Sequence, residues 1–288
     1  MKFILGLFAL VAVRGSSSDK ELDLVIFGDG LSEVNNTFQM SQGAYPYQRA
    51  YPEHSFSDES SWTVYYKRYL ENNSELRVNM HNFAFSGATT NSSVIPAFTG
   101  EMGTWPVPGT AQQFQMFVTS PLEKKKRRTV FQVNVGLNDM LCANPLSAQL
   151  NEEVANRIAK LVLDIEDYIG NNSNSIIIVS TIYPVALTPN FRDFAQRYPH
   201  FTQEYNKVLL KQLEPSLKRG KTHVFEFTRV VTDYIESSGL KHISCTDTTP
   251  LPVNCSEYLF VDGFYPAATL HRAIAKNMTD LTNKILKI

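Results

Sequence analysis

An alternation constrains this chain's fold more than any other feature of its sequence. Short apolar runs rich in β-branched and aromatic residues fall at Leu22–Phe27, Val78–Ala84, Thr129–Val135, Ser175–Ile182 and His223–Phe227. Longer stretches with helical spacing of apolar residues lie between and after them, at Ser60–Leu70, Thr110–Val118, Ala148–Ile169, Phe191–Leu217 and Ala267–Leu286. Strand and helix in alternation imply βαβ units with right-handed crossovers. The fold class that follows is α/β, a three-layer sandwich around a mostly parallel five-stranded sheet. With 288 residues, 43% of them hydrophobic, the chain can bury one large core. No internal repeat, low-complexity tract or linker divides it. On such sheets ligands bind beyond the carboxyl ends of the strands, so the residues just after each strand carry the functional reading.

A formal net charge of −1 gives no electrostatic argument for nucleic acid or an anionic membrane as partner. The first fifteen residues, MKFILGLFALVAVRG, have Lys2 as a basic start, an apolar run from Phe3 to Val13, and small residues Val13 and Gly15 before a cleavage point. Residues 1–15 therefore read as a signal peptide and 16–288 as a single mature, secreted domain; an uncleaved anchor or a buried N-terminal helix is the alternative. The run is too short to span a bilayer, and no later segment is long and apolar enough. Six N-x-S/T sequons, at Asn35, Asn72, Asn91, Asn171, Asn254 and Asn277, agree with that route. Asn254 is the weakest of them, because its middle residue is Cys255. Cys245 and Cys255 close a short Pro-containing loop and read as a disulfide in an oxidising compartment, which leaves Cys142 free and buried. So few thiols without a nearby His pair give no metal site.

Four blocks follow the strands or precede the last helix: GDGLSE at 28–33, NFAFSGATT at 82–90, VNVGLNDM at 133–140, and EYLFVDGFYPAATLHRAIA at 257–275. Each is weak singly; their order and spacing together resemble the GDSL, or SGNH, esterase and acylhydrolase family, over nearly the whole mature chain. Gly28, Asp29 and Ser32 match the first block, G-D-S-x-S-D, with Gly30 and Glu33 as departures. Gly87 matches the oxyanion-hole glycine, and Gly136, Asn138 and Asp139 match G-x-N-D. Asp262 and Pro266 match D-x-x-H-P, but Tyr265 does not. Trp62 resembles the packing aromatic of the family's F-S-N-G-x-x-W helix start. The cysteine loop before EYLFVDG resembles the extracellular, fungal-type branch. This resemblance implies the SGNH hydrolase fold, with its flavodoxin-like sheet.

It also implies which chemistry is missing. In the family the first-block serine attacks an ester carbonyl, the last-block histidine takes its proton, and the aspartate three residues earlier orients that histidine. Here Gly30 stands at the nucleophile position and Tyr265 at the base position, while Asp262, the orienting acid, is retained. A phenol is a poor general base at neutral pH. The backbone N–H groups of Gly30 and Gly87 and the Asn138 carboxamide remain as three donors for one ligand oxygen. Ser32 is the alternative nucleophile. His271 reads as a packing or capping residue, and His54 and His81 pair with no nucleophile. The loop Tyr45–Phe56 offers tyrosines for sugar stacking or for packing over the first helix. The basic run Glu123–Arg128 reads as a solvated loop.

Three functions are compatible with this pattern. The first is a secreted, catalytically impaired pseudoenzyme that binds an acylated sugar, lipid or other ester, or an extracellular protein partner. The second is an active ester hydrolase with a rearranged triad. The third is a structural extracellular glycoprotein. The expected state is a monomer without cofactor, with glycans at Asn35, Asn72, Asn91, Asn171 and Asn277.

Overall fold

The computed structural model describes residues 20–122, 128–142, 147–171, 174–197, 200–249 and 254–288. Residues 1–15, expected to be a signal peptide, and residues 123–127 of the basic run lie outside the described residues.

In chain order the first half comprises β1 (Glu21–Gly28), α1 (Asn36–Met40), α2 (Trp62–Asn73), β2 (Arg77–Asn82), a hairpin of β3 (Phe98–Thr99) and β4 (Trp105–Pro106), and α3 (Thr110–Thr119). The second half adds β5 (Arg128–Asn134), α4 (Leu137–Leu141), α5 (Ala148–Ile169), β6 (Ser175–Ser180), α6 (Arg192–Arg197), α7 (Phe201–Arg219), β7 (Thr222–Phe225), α8 (Phe227–Ser237), β8 (Lys241–Ser244), β9 (Tyr258–Phe260) and α9 (Ala268–Leu286).

Five strands form one sheet in the order β2-β1-β5-β6-β7, and every pairing in it is parallel. The chain runs from β1 outward to β2 and then returns past β1 to β5. That reversal makes the carboxyl end of β1 the topological switch point, where an α/β sheet places its ligands. Leu22 of β1 lies opposite Val78 on one side and Arg128 on the other. All six residues of β6, SIIIVS, are buried, the near-continuous apolar pattern of a strand covered on both faces. One helix group joins α2 to α9 and α9 to α8; the other joins α5 to α7 and α3. Phe27, Phe114, Phe117 and Phe131 interlock beneath the sheet with ring centroids 5.6 to 6.5 Å apart.

The structure corrects two expectations. The long helix over Phe191–Leu217 is two helices, α6 and α7; Pro199, between them in sequence, is a residue type that lacks the N–H a continuous helix needs. Cys142 is free but exposed. It follows α4, whose buried side chains Leu137 and Met140 sit three residues apart, so that position 142 turns outward. The loop Tyr45–Phe56 packs against α1: the His54 ring stacks on Phe38 with centroids 3.8 Å apart, and Tyr45 N–H donates to Ser41 Oγ at 2.9 Å. Tyr51 and Phe56 join Cys245, Cys255, Tyr258, Val261 and Ala267 in a second apolar cluster. The Cys245–Cys255 disulfide is present, its Cα atoms 5.7 Å apart. Asn72, Asn171, Asn254 and Asn277 are exposed, whereas Asn35 and Asn91 are half-buried.

Candidate active site

At its carboxyl end β1 meets β5 closely. A β-carbon on Gly28 would lie 2.7 Å from the Asn134 carbonyl oxygen. The Gln113 side chain from α3 clamps Gly28 by accepting its N–H and donating to its carbonyl, both at 2.9 Å. The chain then turns sharply: the N–H groups of Ser32 and Glu33 donate to the Asp29 carbonyl, and Leu31 N–H donates to Asp29 Oδ1. Gly30 sits in that turn.

The second block passes beside it. Ser86 N–H donates to Thr37 Oγ1 at 3.0 Å. Gly87 has φ +79°, and a β-carbon there would overlap the Phe98 carbonyl of the hairpin, so only glycine fits. The third block is tied to the second: Asn138 Nδ2 donates to the Ala88 carbonyl at 2.9 Å. Asp139 is buried and accepts from the N–H and hydroxyl of Thr90, with Arg157 Nη2 3.4 Å away. Burial pushes the Asp139 carboxyl above the usual range despite these donors. Its place in the motif is a scaffold that locks two loops together.

The fourth block brings in Asp262 and Tyr265 between β9 and α9. Asp262 Oδ1 accepts from the N–H groups of Phe264 and Tyr265, at 2.8 and 2.6 Å. Its other oxygen accepts the hydroxyl of Tyr51. Tyr265 stacks on Phe56 with centroids 4.4 Å apart, and its hydroxyl reaches Ser86 Oγ at 3.0 Å. A β-carbon built on Gly30 would lie 2.6 Å from that hydroxyl and 3.0 Å from Ser86 Oγ. The phenol therefore occupies the volume a side chain at position 30 needs. Burial drives the Tyr265 phenol well above its ordinary value, and the charges of Tyr45, Asp262 and Asp29 push the same way. It is a neutral hydroxyl at any physiological pH, able to donate a hydrogen bond but not to act as a base.

Gly30, Ser86 and Tyr265 thus meet at one point, and Asn138 bonds to the residue after Gly87. Among the described residues, the N–H groups of Gly30 and Gly87 have no hydrogen-bond partner. Ser32 does not join this group. It is fully buried, its hydroxyl accepts from Asn134 Nδ2 at 3.0 Å, and its carbonyl accepts from Asn82 and Thr63. A hydroxyl held beneath the turn cannot attack a ligand above it.

His271 is buried, accepting the Trp62 N–H at Nδ1 (3.1 Å) with the Phe56 carbonyl 3.3 Å from Nε2. Burial lowers its pKa to about 4, so it is a neutral cap on the first turn of α2. His81 lies 3.8 Å from Asp23 on the outer strand pair, and His54 stacks on Phe38.

Two more carboxyls lie inside the first block. Burial raises Asp29 to about 7, with the nearby charge of Asp139 adding to the shift. Glu33 is raised to about 8, again by burial; Oε2 accepts the Thr37 N–H, and Oε1 has no partner. Among the described residues no three His, Cys, Asp or Glu side chains gather as a metal site.

Sequence reasoning missed Tyr51 and Ser86. Ser86 adjoins the recognised Gly87. Tyr51 lies 211 residues from Asp262, and the only signal was a tyrosine-rich loop in a chain with Tyr265 at the expected base position.

Residues 24–278 match the family GDSL-like Lipase/Acylhydrolase. No curated protein gave a match. Among solved structures, a protein described as a GDSL-like lipase from Parabacteroides merdae is similar at 12% identity, covering 93% of this chain and 96% of that one, with a TM-score of 0.55. The lipase Lip_vut3 from a goat rumen metagenome shows 16% identity, coverage of 90% and 96%, and a TM-score of 0.53. Est24, a carbohydrate acetylesterase from Sinorhizobium meliloti, shows 16% identity, coverage of 91% and 99%, and a TM-score of 0.51. These likenesses establish the fold, and with the family match across residues 24–278 the chain belongs to the GDSL-like lipase/acylhydrolase family.

Proposed function

We propose that the chain is a secreted, catalytically impaired member of this family that binds an acyl or acetyl ester through the former active-site cleft without hydrolysing it. The observation that carries the reading is the Tyr265 hydroxyl, 2.6 Å from where a side chain at position 30 would begin and bonded to Ser86. Position 30 offers no nucleophile, and position 265 offers a phenol held neutral. Ser86 brings a hydroxyl beside position 30, and its partner is that same phenol, which cannot take its proton. What remains is a set of neutral donors: the N–H groups of Gly30 and Gly87, the second amide hydrogen of Asn138, and two hydroxyls. Asp29, Asp139 and Asp262 lie around them, which favours a neutral carbonyl over a carboxylate as ligand. An acylated sugar, a lipid ester or an ester on a protein partner all present such a group. The apolar leader, the exposed sequons and the disulfide support secretion.

A second reading, a structural glycoprotein, is favoured by the same observation, since a phenol that fills the catalytic space can also close it. Purified protein should hydrolyse short-chain nitrophenyl esters and acetylated xylose no faster than buffer. Saturation-transfer NMR should nevertheless show contact between the protein and the acetyl methyl of that sugar, weakened in Asn138→Ala. Turnover above buffer would restore the hydrolase; absence of contact would leave the structural role.

A further inference from the structure

The β3–β4 hairpin adjoins the site, since the Phe98 carbonyl is the group a side chain on Gly87 would strike. Its tip carries Met102, whose side chain projects fully into solvent at a relative exposure of 103%. Phe98 and Tyr47 are about half exposed, and Val94, in the turn leading to the hairpin, is exposed too. Met102 has φ +52°, a conformation that L residues rarely hold, and the hairpin is braced to hold it. Gly100, at φ +83°, lies flat on the Trp105 ring, and Gly103, at φ +69°, packs against the Phe98 β-carbon. The Tyr47 hydroxyl donates to Glu101 Oε1 at 2.6 Å. Tyr45 stands behind, 5.8 Å from the Tyr47 ring and 6.4 Å from Trp105.

Charge is nearly absent from this surface. Between Met80 and Leu122, Glu101 is the single Asp, Glu, Lys or Arg, in a chain where 19% of residues are of those types. A polyanion, a polycation or an anionic lipid surface would find few charges there to pair with, Glu101 beside Met102 and Arg49 two residues from Tyr47.

We propose that the hairpin is a membrane-docking element that inserts Met102 and Phe98 into the surface of a zwitterionic phospholipid bilayer, beside the mouth of the site. An aliphatic tip backed by Tyr47, Tyr45 and Trp105 has the order of a bilayer interface, where rings of Tyr and Trp settle at headgroup depth and apolar side chains go deeper. The tip projects as a point. A protein interface instead centres its anchors within a ring of surrounding contacts. Among the described residues no helix is long and apolar enough to cross a membrane.

The intact protein carries its own reporter. Of its two tryptophans, Trp62 is buried and Trp105 lies in the hairpin. Titration with phosphatidylcholine vesicles should shift the tryptophan emission to the blue, brominated acyl chains should quench it, and added salt should change neither. Asn is among the residues that best tolerate a left-handed conformation, so Met102→Asn should fold at least as well as the parent yet partition onto vesicles about tenfold more weakly. Phe98→Ser should weaken partition similarly, and Met102→Leu should retain it. Absence of partition, partition unaffected by Met102→Asn, or partition only onto phosphatidylserine-containing vesicles would overturn the proposal. So would concentration-dependent self-association abolished by Met102→Asn, which would make the hairpin an interface between copies.

Discussion

At the scale of single residues, Gly30 and Tyr265 exclude the side chains the family would place opposite them. A serine at position 30 begins 2.6 Å from the phenol oxygen, an overpacking that should cost about 1–3 kcal/mol. Tyr265→His alone loses the bond to Ser86 and leaves a gap, at a similar cost of about 1–3 kcal/mol. Together the two changes relieve each other, so a double-mutant cycle in urea should give a favourable coupling of about 1–2 kcal/mol. The same double variant, Gly30→Ser with Tyr265→His, restores nucleophile, base and donors. Esterase activity and labelling of position 30 by a fluorophosphonate are expected from it and from neither single change. Tyr51 sets the remaining limit. Its hydroxyl already holds the Asp262 oxygen left free by the two backbone donors, and an introduced histidine must share it. Adding Tyr51→Phe should therefore raise kcat about tenfold over the double variant; a fall instead would show that Tyr51 supports the acid rather than competing for it.

At the scale of elements, the last block depends on a short braid outside the main sheet. Cys245 N–H donates to the Phe260 carbonyl at 3.0 Å and Thr246 N–H to the Val261 carbonyl at 2.9 Å, so the disulfide pins β8 to β9 just before Asp262. Its cysteines are 10 residues apart, and closing such a loop is worth about 2–3 kcal/mol in the chain-entropy model. The Cys245→Ser, Cys255→Ser variant should lose about that much in urea unfolding. Cys142 should be alkylated in the native protein, because it is exposed. Elements of this kind also mark what the sequence could convey. Strands β1, β5 and β6 and helix α5 were legible because well-covered parallel strands and a long amphipathic helix impose their patterns over many residues. The hairpin was not legible, because strands of two residues, Phe98–Thr99 and Trp105–Pro106, have no period to detect. Gly30 and Tyr265 stood out as departures from a motif. That the second fills the space of the first could not be read, since the 234 intervening positions give no register between a turn on β1 and the approach to α9.

Across the whole molecule, the buried acids of the first block make stability depend on pH in an unusual direction. Asp29 rises from 3.8 to about 7 and Glu33 from 4.5 to about 8, both chiefly through burial. A carboxyl whose folded pKa is raised binds its proton more tightly in the native state. Its contribution is fully present below the unfolded pKa and is lost as pH rises through the folded one. Burial raises Asp139 and Asp58 in the same sense. His271 opposes them: its pKa falls from 6.5 to about 4 on burial, so the unfolded chain gains a proton there as pH drops below 6.5. Counting Asp29, Glu33 and His271, the folded protein holds one net extra proton between about pH 4.5 and 6.5, where stability should fall by about 1.4 kcal/mol per pH unit. Between about 6.5 and 7 the histidine no longer compensates, and the slope should double. Above about pH 8 it should vanish. Glu33→Gln keeps an acceptor for the Thr37 N–H and removes one titrating group, so its unfolding free energy should be nearly flat from pH 4.5 to 6.5 and fall only about half as steeply near neutrality. Urea unfolding of parent and variant at half-unit steps from pH 4.5 to 8.5 measures both slopes, and equal slopes would mean that Glu33 is ionised in the folded protein.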